Sequence, residues 1–427
     1  MRTLSGPGNP RSTLSADVHA VLQLWAIDEP LFPNLKFLEL WSTVGEFIPF
    51  IPLFLSPRTT SISITFTVRP PTEAMSPALL VATFPTLCPK LQTIRLRFLS
   101  RDPTITATVS KLLLTTNRDA LRQFRVDSPL TEEAREVIYK LPELCGLTTV
   151  VEGSTSLPIM VLPNLTEMNI EYDHNCDWLE GFRGATLGKL DSVTFRARSE
   201  SARVAGFLEA FEDAGRATLT TLSAFRFYTR RPWRPNYRSL LSFKQLKVLE
   251  IGFSCEGGCS STIDDDIITD LARAMPKLET LRLGGTPCET PAGVTVEGLA
   301  VLAHHCPDLS YLSIHFRVDT FHVLPVIGGT PHAGNVAPRR DCALTDLSVG
   351  RIPMPEESVL IAALTLVRIF PNLSGISHKY NSNWGKISSA ICLSGQIVDR
   401  SSKEHSLSTS RSNLSDTSPG TTLENSS

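Results

Sequence analysis

The sequence predicts an α/β solenoid: a curved horseshoe with parallel strands on its inner face and helices outside. Three observations predict it, all visible between Thr262 and Ile314, where one pattern is written twice. First, apolar residues fall on one helical face: Ile267, Leu271 and Met275 in one copy, Leu299, Leu302, Ala303 and Cys306 in the other. Second, Pro276 and Pro307 follow these runs and stop the helix, because proline lacks an N–H and disfavours αR in the residue before it. Third, Leu278–Leu283 and Leu309–Ile314 have the form Leu-x-x-Leu-x-Leu, and their last four positions alternate as a strand with one buried face requires. Helix, proline stop and short strand recur at about thirty residues, which is the grammar of a leucine-rich repeat.

Residues 1–13 are expected to lack structure, and Ser15–Trp25 to form a short capping helix with Val18, Val21, Leu22 and Trp25 inward. Residues 1–30 thus make an N-terminal segment. The repeats follow over 31–378. Phe32–Leu40 is the first clear strand, then Thr59–Phe66. A helix near Glu73–Phe84 leads to Cys88–Leu96, and one near Ile105–Thr116 leads to Leu121, Phe124 and Val126. Thr131–Lys140 reads as a helix with Thr131 as its cap, followed by a weak strand at Leu147–Val151. Strands through Met168 and Ile170 and through Val193 and Phe195 come next. A helix at Ala202–Glu212 precedes a strand read on Leu222, Phe225 and Phe227, and another strand carries Leu249 and Ile251. After the two model copies stand a Gly/Pro-rich loop at Ile327–Arg340, a strand through Leu347 and Val349, the helix Pro355–Phe370 and a last strand near Ile376. The apolar rhythm fades from Lys379. About half of Ser401–Ser427 is Ser or Thr, so 379–427 is expected to be a mostly disordered tail.

A chain of 427 residues is long for one compact core, but a solenoid escapes that limit because each repeat touches only its neighbours. Lys plus Arg (41) nearly balances Asp plus Glu (43), which gives no global charge signal for nucleic acid or an anionic membrane. The apolar runs Phe47–Leu55 and Val359–Phe370 are too short to span a bilayer and read as core. Nine scattered cysteines without a Cys-x-x-Cys pair, and polar residues 1–14 without a secretory signal, point to the cytoplasm or nucleus. Asn164 and Asn372 match the glycosylation sequon but open predicted strands.

The run of helix, Cys-Pro-x-Leu and Leu-x-x-Leu-x-Leu in Cys88–Leu96 and His304–Ile314 resembles the cysteine-containing leucine-rich repeats of F-box proteins. Together with the irregular continuation of Glu29–Leu35, it is similar to the ribonuclease-inhibitor-like F-box/leucine-rich-repeat proteins of mushroom-forming fungi. The resemblance covers roughly Leu31 to Ile376. It implies a substrate receptor of a cullin-RING ubiquitin ligase, with the solenoid capturing a protein and an F-box docking on the Skp adaptor. No F-box pattern stands before Leu31, so Skp adaptor and cullin are partners only if an F-box is supplied. The alternative is a ligase-independent scaffold or regulator.

In such a repeat the leucines face the core, and the intervening strand positions face the concave side, where solenoids bind partners. Those positions hold Arg95, Arg97, Arg125, Arg196, Arg198, Arg226, Arg282, Tyr311 and His315, with Glu167, Glu171 and Glu250 among them. Guanidinium forks match carboxylate and phosphate, so the face is expected to read an acidic or phosphorylated protein segment. The bland reading is that acidic neighbours across the strands neutralise the arginines. Thr229–Arg238 mixes four arginines with Trp233 and Tyr237, the composition of a single-strand nucleic-acid loop, yet reads better as a solvated turn. Cys255–Cys259, His304–His305 and Asp264–Asp266 are read as a loop, a helix end and a helix start rather than metal ligands. No glycine-rich phosphate loop, His-Glu-x-x-His or Gly-x-Ser-x-Gly occurs, so the sequence argues for neither an enzyme nor a cofactor.

Overall fold

The computed structural model describes residues 3–5, 21, 30–43, 45–66, 76–98, 102–152, 159–172, 182, 184–197, 217–228, 237–254, 263–284, 293–318, 321, 342–350, 354–378 and 383–392. Among them, fourteen strands form one open sheet in chain order. They are β1 (Thr3–Ser5), β2 (Phe37–Thr43), β3 (Ser61–Phe66), β4 (Thr93–Phe98), β5 (Gln123–Pro129), β6 (Gly146–Val151) and β7 (Glu167–Tyr172). The series continues with β8 (Ser192–Ala197), β9 (Thr221–Tyr228), β10 (Val248–Ser254), β11 (Thr280–Leu283), β12 (Tyr311–Ile314), β13 (Asp346–Gly350) and β14 (Gly375–His378). Every neighbouring pair is parallel. The result is a solenoid-like α/β architecture.

One apolar row runs unbroken from β2 to β14. Leu38, Ile62, Ile94, Phe124, Leu147, Met168 and Val193 are successive partners in register, followed by Leu222, Leu249, Leu281, Leu312, Leu347 and Ile376. All are buried. Just before each strand, one carbonyl accepts from two consecutive amides of the next coil: Thr60 O from Gln92 and Thr93, Gln92 O from Arg122 and Gln123, and so on to Thr345 O from Ser374 and Gly375. This satisfies the backbone amides that lead into the strands.

The proline stop has a common geometry. Cys88, Met275, Cys306 and Phe370 each follow a helix, Pro77–Leu87, Asp265–Ala274, Val296–His305 and Val359–Ile369 respectively, and each precedes a proline. Their ψ angles lie between 64° and 81°, outside αR, as a following proline demands. The amide of each donates back into the helix. Its carbonyl accepts from Leu91, Leu278, Leu309 or Leu373, which turns the chain into the strand. The asparagines of two such turns reach the preceding coil: Asn164 Nδ2 donates to Pro142 O and Asn372 Nδ2 to Cys342 O, each at 2.8 Å.

Several expectations change. The helix Glu132–Ile138 starts after Thr131, but Thr131 makes no side-chain cap bond; its amide donates instead to Ser110 Oγ at 2.9 Å. Part of the expected disordered N-terminus, Thr3–Ser5, pairs with β2. The packed residues also continue past the expected boundary at 378. A helix over 383–392 buries Trp384, Ile387 and Ile391, and Trp384 meets Phe316 edge-on at 5.9 Å. The isolated Trp and two Ile lie too far apart in a polar segment to signal a repeat, but they share one helical face. Ala202–Glu212, the loop 327–340, the run 393–427 and, apart from Val21, Ser15–Trp25 lie outside the described residues.

Candidate binding face of the sheet

The sheet buries alternate positions and leaves the others on its outward face. The central outward row reads Glu39, Ser63, Arg95, Arg125, Thr148, Asn169, Thr194, Ser223, Glu250, Arg282, Ser313, Ser348 and Ser377, each a register partner of the next. Arg95 and Arg125, distant in sequence, are therefore direct neighbours. Arg97 lies two positions along β4 from Arg95.

Each of these arginines has an acceptor nearby. Arg95 Nη2 donates to Gln123 Oε1 at 2.6 Å. Arg125 Nη2 donates to Glu167 Oε2 at 2.5 Å. Arg97 Nε stands 3.9 Å from Asp127 Oδ2, and 68% of its side chain is exposed. Asp127 Oδ1 accepts from the Phe98 amide at 2.7 Å. Burial pushes the Asp127 carboxyl up to about 6, although the Phe98 amide and Arg97 both oppose the shift.

Arg196 pairs in register with Glu171, and Arg282 with Glu250. The other expected positions do not join the Arg95–Arg125 pair. Arg196 lies on β8, Arg282 on β11 and Tyr311 on β12, several strands away. Tyr311 is half-buried between Thr280 and Asp346 in register. His315 follows β12, and burial lowers its pKa, so it carries no charge at neutral pH.

The strand expected on Leu222, Phe225 and Phe227 is β9, in which Leu222 and Ala224 are buried. Phe225 is the register partner of Arg196, and beyond an irregularity at Phe225 and Arg226 the pairing resumes with Phe227 opposite Phe253. Arg198, residues 229–236 of the arginine-rich loop and Cys255–Cys259 lie outside the described residues.

Asp264 and Asp265 have structural partners. Asp264 Oδ1 caps its helix by accepting from the Ile267 amide at 3.0 Å. Asp265 accepts from the next coil, at Thr295. His304 and His305 close the last turn of their helix and contact each other edge-on. Among the described residues, no group of three or more His, Cys, Asp and Glu side chains converges on a metal position, and no helix is long and apolar enough to cross a membrane.

Phe37 and Trp41 are the residues that the charge pattern passes over. They are exposed on the outward side of β2, 46% and 56% respectively. The signal was present in Phe37-Leu38-Glu39-Leu40-Trp41, whose alternation assigns both aromatics to the face opposite the leucines.

Compared with known proteins, the sequence matches no family model and no curated protein.

Proposed function

We propose that the chain is a non-catalytic recognition module whose outward sheet face grips an acidic or phosphorylated segment of another protein. The observation that carries this reading is the register pair Arg95–Arg125, with the largely exposed Arg97 beside it. The internal partners do not close the site. Partly exposed ion pairs such as Arg125–Glu167 contribute only about 0–1 kcal/mol, so an incoming carboxylate or phosphate displaces them at little cost. In the leucine-rich-repeat reading this face is the concave side of a horseshoe, which the in-register leucine row supports. The unpaired thiols of Cys88, Cys306 and Cys342 support residence in a reducing compartment, cytoplasm or nucleus.

The resemblance to F-box/leucine-rich-repeat proteins extends the proposal to a substrate receptor of a ubiquitin ligase. Co-purification of tagged chain with Skp adaptor and cullin tests that extension; its failure leaves a ligase-independent scaffold. Recognition itself is tested by Arg95→Glu/Arg97→Glu/Arg125→Glu. Loss of the proteins captured by the wild-type chain is expected, and unchanged capture rejects the face.

A further inference from the structure

Beside the arginines, the outward face has an apolar half. Phe37, Glu39 and Trp41 alternate with the buried Leu38 and Leu40, and both aromatics are exposed; Trp41 stands where the register with the next strand becomes irregular, just beyond Leu40. The next strand offers only small hydroxyl side chains: Ser61 is the partner of Phe37, Ser63 that of Glu39, and Thr65 lies two positions on. The strand after that presents Thr93, Arg95 and Arg97 as partners of Ser61, Ser63 and Thr65. An aromatic wall and a basic wall thus flank a low floor of Ser61, Ser63 and Thr65. Adjacent strands lie about 4.8 Å apart, which separates the two walls by roughly 10 Å.

Exposed Trp and Phe beside Arg is the composition of an interface hot spot rather than of solvated surface. The arginines already hold carboxylate and amide oxygens within the sheet, Asp127 and Glu167 among them, so their forks are placed for carboxylates. Resting on the proposed recognition role, we infer that this end of the sheet is a two-point site for an acidic peptide segment. A bulky apolar side chain of the partner packs on Phe37 and Trp41, and a carboxylate bonds to Arg95 and Arg97. An extended chain advances about 3.3 Å per residue, which puts the two anchors roughly three residues apart. The net charge of −2, and Glu39 between the aromatics, favour a peptide over a nucleic-acid strand.

The test is random-peptide phage selection on the full chain, followed by fluorescence-polarisation titration of selected peptides. Wild type is compared with Trp41→Ala, Trp41→Phe and Arg95→Glu/Arg97→Glu, each checked for an unchanged melting temperature. Selected peptides are expected to pair a bulky apolar residue with Asp or Glu about three positions away. Trp41→Ala and the arginine variant should each weaken binding at least about tenfold, while Trp41→Phe retains most of it. Peptides that depend on the arginines but not on Trp41 overturn the two-point site and leave the broader recognition role standing. Peptides indifferent to every variant overturn both. Preferential binding of a single-stranded oligonucleotide, lost in the same variants, overturns the peptide assignment.

Discussion

Asp265 reaches into the next coil and takes both donors of Thr295: its Oδ1 accepts from the Thr295 amide at 2.8 Å and its Oδ2 from the Thr295 hydroxyl at 2.6 Å. Thr295 Oγ1 in turn accepts from the Glu297 amide at 3.1 Å and so caps the following helix. One carboxylate thereby fixes the start of the next repeat. Asp265→Ala should lower stability by about 1.5–3 kcal/mol, the range for hydrogen bonds to a charged group, as read by urea unfolding.

Gly298 lies against the same carboxylate. A Cβ there would stand 2.3 Å from Asp265 Oδ1 and 3.1 Å from Val294 Cγ1. Helix propensity alone favours alanine by about 1 kcal/mol, but the clash displaces the carboxylate from Thr295. Gly298→Ala should therefore destabilise the wild-type chain by about 1–3 kcal/mol and be close to neutral in the Asp265→Ala background. Equal effects in both backgrounds would refute the coupling.

Asp127 predicts a pH dependence. Burial raises its carboxyl from 3.8 to about 6, so the folded chain holds the proton more tightly than the unfolded chain. Its contribution to stability is complete below about pH 4 and is lost as pH rises through about 6. Asp127→Asn keeps an acceptor for the Phe98 amide and removes the buried charge. At pH 7 the variant should be more stable than wild type by about 1–2 kcal/mol, and the difference should close towards pH 4. Unfolding at a series of pH values reads the gap.

The thiols should sort by burial. Burial pushes Cys306 up to about 12 and Cys88 to about 11, and raises Cys342 as well, whereas Cys392 is exposed. Thiolate is the reactive form. Iodoacetamide at mildly alkaline pH should modify Cys392 in the folded chain and spare the three buried thiols until urea is added. Peptide mass spectrometry locates the label.

Trp384 tests the end of the packed region. It is fully buried and meets Phe316 edge-on, so Trp384→Ala should cost about 3–5 kcal/mol and lower the melting temperature of the whole chain. Lys386→Ala is the surface control. Its bond to Glu356 spans 2.6 Å between exposed side chains, and its removal should leave the melting temperature essentially unchanged.

Most strands and helix ends were legible because their signals are local. Proline after an apolar helical run fixes a helix end, as at Cys88 and Cys306, and leucine alternation fixes the buried side of a strand. Elsewhere the signal is ambiguous or sparse. In β9 the small Ala224 is buried, although beside Leu222, Phe225 and Phe227 it carries no apolar signal of its own. Thr131 has the residue type and position of a cap, yet its amide is drawn to Ser110 in another element. Trp384, Ile387 and Ile391 had no repeat around them to announce a packed helix.

The candidate site divides in the same way. The sequence by itself determined which side chains of the regular strands alternate out of the core, since alternation along one strand is a property of a few adjacent residues. Only the tertiary structure decided that Arg95 adjoins Arg125, that Glu167 reaches Arg125, and that the strand of Phe37 and Trp41 lies one serine- and threonine-bearing strand away from that of Arg95 and Arg97. Those neighbours come from the stacking register of separate coils. Loops of unequal length separate the coils, so distance along the chain carries no record of distance across the sheet.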